Sequence, residues 1–133
     1  MKIFIDTNVW ISYFLSRTFG NLESILSKKE IKIYTSLEQI DELERVLRYP
    51  KLKKYFSEEA IIDILKFVSE KSNVVSIKRI IQDCRDPEDN YILDIGTQFH
   101  LDYIITGDED LLALHPYKKI QVIKIAKFIE MAL

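Results

Sequence analysis

The residues of this chain best suited to chemistry are carboxylates, and where they fall matters more than how many there are. Asp6 ends an apolar run in KIFIDTNVW. Asp86 and Asp89 frame the start of DPEDNYIL, and Asp108 and Asp110 lie in YIITGDEDLL. Carboxylates held close repel one another, raise one another's pKa and weaken a fold unless a cation joins them. Donor sets made only of hard oxygens suit Mg2+ or Mn2+, which keep several waters and accept sites built from few side chains. A cation held this way can activate water and stabilise the charge that develops in an in-line phosphoryl displacement. Each acid also has a plainer use. Asp86 before Pro87 is a good helix N-cap, with proline at the first helical position. Asp89 then sits in the first turn, where negative charge complements the helix dipole. Asp108 can cap a short helix after it, and Asp6 can cap the first helix, as can Thr7 or Asn8.

The rest of the inventory closes other routes. Glycine occurs only at positions 20, 96 and 107, too scattered for a P-loop or a dinucleotide fingerprint. Two histidines, His100 and His115, and one cysteine, Cys84, are too few for a structural zinc site of the Cys/His type. A nucleophile elbow of the G-x-S-x-G kind is absent from the sequence. The lone cysteine gives no internal disulfide, no apolar run is long enough to span a membrane, and the N-terminus lacks the features of a secretion signal. These readings place the protein in the cytoplasm, without a membrane partner. The formal net charge is −2, which argues against a nucleic-acid partner unless the acids are concentrated in one place. Setting four of them aside in a single site leaves the remainder of the chain at +2.

The elements that must position these acids follow from periodicity. Short apolar runs at 2–5, 31–34, 73–77, 103–106 and 121–125 read as strands. Helices are expected at 9–15, 19–27, from Ser36 to Pro50, after Ser57, from Pro87, at 110–114 and through Leu133. Gln39 stands three residues after Ser36, in capping-box position. Strands alternating with helices predict an α/β fold with a central parallel sheet of about five short strands, covered on both faces, in one domain over 1–133. Ligands of such sheets bind beyond the carboxyl ends of the strands. Asp6 and Asp108 fall there directly, and Asp86 and Asp89 open the helix that precedes the fourth strand.

With those residues placed, the chain resembles the PIN-domain ribonucleases, and within them the VapC-like toxins of prokaryotic toxin–antitoxin pairs. FIDTNVW is similar to the family's opening acid motif, DELERVLRYPK to its second, and DPEDNYIL and YIITGDEDLL to its third and fourth, in family order over residues 3–112. The resemblance implies a three-layer α/β/α fold and a metal site formed by Asp6, Glu42, Asp89 and Asp108. It also implies Mg2+- or Mn2+-dependent hydrolysis of RNA phosphodiester bonds by activated water, leaving a 5′-phosphate and a 3′-hydroxyl. The family further implies a homodimer and a masking antitoxin protein. Glu42 rests on this motif alone, because Glu38, Asp41 and Glu44 share its helix and a solvated charged face explains all four. Asp86 and Asp110 are supporting acids, and Asn8 and Thr106 are candidates to orient the carboxylates or to hydrogen-bond a metal-bound water. Tyr49 stands where many relatives carry arginine. Neither histidine is needed.

Arg45, Arg48, Lys51, Lys53 and Lys54 cluster just beyond Glu42. A solvated charge run is the ordinary reading; beside a metal site they suit an RNA backbone, with Tyr49 and Tyr55 to stack on bases. Trp10, Tyr13, Phe14 and Phe19 read as core residues near the antitoxin groove. Two other readings fit the same residues: a catalytically inactive PIN-like module that binds RNA or protein, and a phosphotransfer enzyme with Asp6 as nucleophile. Against the second, Asn8 stands where the haloacid-dehalogenase type needs an aspartate.

Overall fold

Along the first strand, Ile3 and Ile5 turn to one side and Phe4 to the other, and all three are completely buried. Side chains alternate along a strand, so this one requires cover on both faces. The computed structural model, which describes residues 1–16 and 21–132, supplies that cover. In chain order the elements are β1 (Lys2–Ile5), α1 (Thr7–Ser16), α2 (Leu22–Leu26), β2 (Lys32–Ser36), α3 (Leu37–Leu47), α4 (Glu58–Lys71) and β3 (Ser72–Val75). Then come α5 (Asn90–Gln98), β4 (Tyr103–Ile105), α6 (Glu109–Leu112), β5 (Gln121–Ile123) and α7 (Ile125–Ala132). Tight 3-10 turns at Pro50–Leu52 and Pro87–Asp89 precede α4 and α5.

Among the described residues the strands form one five-stranded sheet in the order β3-β2-β1-β4-β5, with every neighbouring pair parallel. On one face Ile3, Ile5, Ile33, Ile105 and Ile123 meet Trp10, Leu43, Leu47, Ile64, Val68 and Phe128 from α1, α3, α4 and α7. On the other, Phe4, Ile104 and Val122 meet Tyr91, Ile92, Ile95 and Leu111 from α5 and α6. The result is the expected three-layer α/β/α arrangement, and strand edges differ from the sequence reading by at most two residues. The helix expected over 19–27 is described only as Leu22–Leu26, with Phe19 outside the described residues.

One local expectation is corrected. Ser36 makes no side-chain cap bond to α3, and Gln39 is completely buried rather than reaching back to it. Paired residues of β1 and β2 end at Ile3 and Ile33, so the Ile5 carbonyl needs another donor. The Gln39 amide supplies it at 2.6 Å, and its own carbonyl accepts the Thr35 hydroxyl. A buried acceptor without a partner costs more than a surface cap contributes. The sequence pattern of a capping box is here the pattern of a core bridge that ties α3 to the end of β1.

Gln39→Leu strands the Ile5 carbonyl and the Thr35 hydroxyl together. Urea denaturation should show a loss of about 2–4 kcal/mol, whereas a surface cap change would cost about 1 kcal/mol.

Candidate metal centre

The strand order sets the location. The chain leaves β1 for β2 on one side and later adds β4 on the other, so the crevice at the carboxyl ends of β1 and β4 is the topological switch point. Asp6 follows β1 directly. Its N–H donates to the Ile105 carbonyl at 2.9 Å, and its carbonyl accepts from Val9 and Trp10 N–H at 3.0 and 3.1 Å, so α1 starts on it. Thr106 follows β4 and continues the ladder, donating its N–H to Ile123 at 3.0 Å.

These two residues meet through their side chains. The Thr106 hydroxyl donates to Asp6 Oδ2 at 2.6 Å, and the Thr7 N–H donates to Asp6 Oδ1 at 2.7 Å. The Asp108 N–H in turn donates to Thr106 Oγ1 at 2.9 Å. Asp108 caps α6, accepting the Asp110 N–H at 2.8 Å, and its carboxyl also lies within hydrogen-bonding reach of Asp89. Glu42 arrives from α3. Its Oε1 accepts the Thr7 hydroxyl at 2.7 Å and the Tyr91 hydroxyl at 2.8 Å. One glutamate oxygen thus joins α1, α3 and α5.

Asp6, Glu42, Asp89 and Asp108 therefore share one crevice, and the electrostatics show the strain of that arrangement. Burial pushes Asp6 from 3.8 up to about 6, with Glu42 and Asp108 adding repulsion against its two hydrogen bonds. Asp89 rises further, to about 8, through burial first, then its bond to Asp108 and repulsion from Asp6, Asp108 and Asp86. Burial beside Glu42 also drives the Tyr91 phenol upward, so it stays a donor. Every candidate ligand is a hard oxygen. Among the described residues, no three acids stand close enough to cage an ion by themselves. The arrangement fits a small hard cation that takes one or two carboxylates and keeps water or phosphate at its other positions.

The supporting residues sort differently from expectation. Asp86 is the N-cap of its 3-10 turn, accepting the Glu88 N–H at 3.1 Å, while also facing Asp89. Asp110 lies 4.0 Å from Arg85. Thr106 does orient an acid. Asn8 does not: it is exposed and lines a separate cleft with Ser12 and Lys124. Thr7 takes that role, one residue earlier, because it begins α1 pointing at Glu42. Thr7 and Tyr91 are the two site residues that sequence reasoning missed, since both act through contacts between distant elements. His115 Nδ1 accepts the Val122 N–H at 2.9 Å, and His100 is exposed with a left-handed φ of 55°.

The basic run divides. Arg45 lines an open cleft beside Glu42 and Tyr91, shared with Arg79. Arg48 is occupied by ion pairs with Glu44 and Glu58. Lys53 borders another cleft, against Leu47, Phe56 and Ile61 of the opposite face. Lys51 and Lys54 are exposed, with Lys54 5.1 Å from the Tyr55 ring centroid. Trp10 and Tyr13 are core residues, and Phe14 packs against Trp10 and Phe67.

Residues 2–110 match the PIN domain family, a span that contains all four acids. The chain is also similar in fold to a chain in the crystal structure of VapBC2 from Rickettsia felis bound to a DNA fragment from their promoter. The two are 16% identical with a TM-score of 0.55, covering 93% of this chain and 98% of that one. At that identity the likeness is one of fold. No curated protein matches the sequence.

Raised carboxyl pKa values have a definite sign for stability. Between the unfolded value of 3.8 and the folded values of about 6 and about 8, the folded metal-free protein holds the extra protons. Stability should therefore fall as pH rises from 4 to 8, with Asp6 alone accounting for about 2–3 kcal/mol. Thermal melts in EDTA should show Tm decreasing across this window. Asp89→Asn should flatten the decrease and melt above wild type at pH 8. Saturating Mn2+ should lift the wild type more than the variant.

Proposed function

The chain belongs to the PIN-domain family, and from that premise we propose that it is a Mg2+- or Mn2+-dependent endoribonuclease, the toxin of a VapC-like toxin–antitoxin pair. One observation carries the proposal: acids from four separate segments converge at the switch point of the sheet, where burial and the neighbouring carboxylates raise the pKa of Asp6 and Asp89. That arrangement serves no folding purpose that a neutral side chain would not serve better.

Asp6, Asp89 and Asp108 on the sheet side and Glu42 on α3 would hold the cation, one or two of them directly and the others through its waters. A bound Mg2+ or Mn2+ supplies a lowered pKa for water and neutralises charge building on phosphoryl oxygens. The chain's own residues do the rest. Thr7 and Thr106 keep both Asp6 oxygens aimed into the crevice. Thr7 and Tyr91 fix Glu42 through Oε1, and neither bond takes up Oε2. Burial and neighbouring carboxylates favour a proton on Asp89, within hydrogen-bonding reach of Asp108. The fold likeness to a VapBC2 chain supports an antitoxin as the masking partner, with pairing into a homodimer as the family reading suggests.

Purified protein should cleave single-stranded RNA in Mn2+ or Mg2+, leave 5′-phosphate ends, and stop in EDTA. Asp6→Asn and Glu42→Gln should each lower the rate at least about 100-fold. Tyr91→Phe, which only loosens Glu42, should cost about 10-fold. A folded protein that binds Mn2+ and RNA but cleaves none would instead be the inactive binding module.

A further inference from the structure

The acids lie between two open clefts. The one beside Glu42 mixes Arg45 and Arg79 with Glu38, Asp41 and Glu88. The other, about 300 Å3, has a different character: Asn8, Ser12, Thr106, Gly107 and Lys124 surround an apolar floor of Val9 and Ile125. Its lining is amide, hydroxyl, backbone and ammonium, with no carboxylate. Asn8 and Ser12 stand one helical turn apart on α1, on one face. Lys124 is exposed at the junction of β5 and α7, and none of the ion pairs among the described residues engages it. At Gly107 nothing lies within 4 Å of where a Cβ would stand, so the backbone there is open to a ligand.

The two compartments share a wall. Thr106 lines this cleft and donates to Asp6 Oδ2 at 2.6 Å, so a group bound here is a neighbour of one bound at the acids. The chemistry accepts an anion, and the position is one step along the carboxyl edge of the sheet. We propose that this cleft holds the phosphate next to the scissile one in a single RNA strand, with Lys124 as its charge partner and Asn8 and Ser12 as donors. The proposal rests on the nuclease reading and adds the path of the strand. It also moves the grip away from the run at 48–54, where Arg48 is neutralised by Glu44 and Glu58 and Lys53 faces the α3–α4 side.

The test uses the full chain and a fluorescein-labelled single-stranded oligoribonucleotide. Anisotropy in EDTA gives binding and its salt dependence, and cleavage in Mn2+ gives KM and kcat separately. Lys124→Ala should weaken binding and raise KM by about threefold to tenfold, keep kcat, and reduce the log–log salt slope by about 0.7. Lys124→Arg should retain most of the affinity. Lys71→Ala, at the opposite end of the sheet, should match wild type. Wild-type KM and salt slope in Lys124→Ala, in a protein that cleaves RNA, would overturn the subsite while leaving the nuclease standing. Binding that depends on Lys124 without any cleavage would support the subsite and overturn the nuclease. Loss of affinity on Lys53→Ala but not Lys124→Ala would return the strand to the 48–54 surface.

Discussion

Asp6 is a carboxylate fixed to the end of the central strand, 8% exposed, and the carboxyl edge of the sheet is arranged around that fact. Its backbone continues the β1–β4 pairing and starts α1, so it cannot swing away to solvent. Its oxygens need donors, and Thr7 and Thr106 are placed to provide them. Once Thr106 is committed to Asp6, the Asp108 N–H binds the same hydroxyl and sets the turn into α6. Once Thr7 is committed, its hydroxyl is within reach of Glu42, and α3 is drawn in. The position of one acid thus propagates to Asp108 and Glu42.

The arrangement sets fold stability against site chemistry. Two hydrogen bonds do not offset the burial of Asp6 among other carboxylates, which is why its protonated form is favoured up to about pH 6. A core built for stability alone would place a leucine or threonine at such a position. Keeping acids there makes sense where a divalent cation supplies the opposing charge and brings back favourable energy in proportion to the repulsion it relieves. The framework around the site is correspondingly buried. Tyr91 is 3% exposed and Gln39 fully buried, and each ties a helix to the site or to the end of β1. Such anchoring holds carboxylates at a spacing that their own repulsion would otherwise widen.

Much of this was legible in the alternation of short apolar runs with helical stretches, which requires a parallel sheet covered on both sides. Asp6 and Asp108 followed from standing at strand ends, and the capping role of Asp86 followed from the proline after it. Glu42 did not follow from physical pattern, because a charged helix face hides a glutamate that points into the crevice among solvated ones; only the ordered motif separated it. Thr7 and Tyr91 were beyond local reasoning, since each matters through a contact to an element far off in sequence. Gln39 shows a subtler limit. The Ser36–Gln39 spacing satisfies a helix cap and a core bridge equally well, and only the unpaired Ile5 carbonyl decides between them. Likewise Arg48 reads as a free cation until Glu58, ten residues on, is folded against it.

The proposed function makes a divalent cation the counter-charge of these four acids. Calorimetric titration of Mn2+ at pH 7, repeated in buffers of different ionisation enthalpy, measures the protons released on binding. With Asp89 held protonated to about pH 8, the account predicts one-site binding with release of about one proton, lost in Asp89→Asn. Binding without proton release, or no binding by a folded protein, would contradict it.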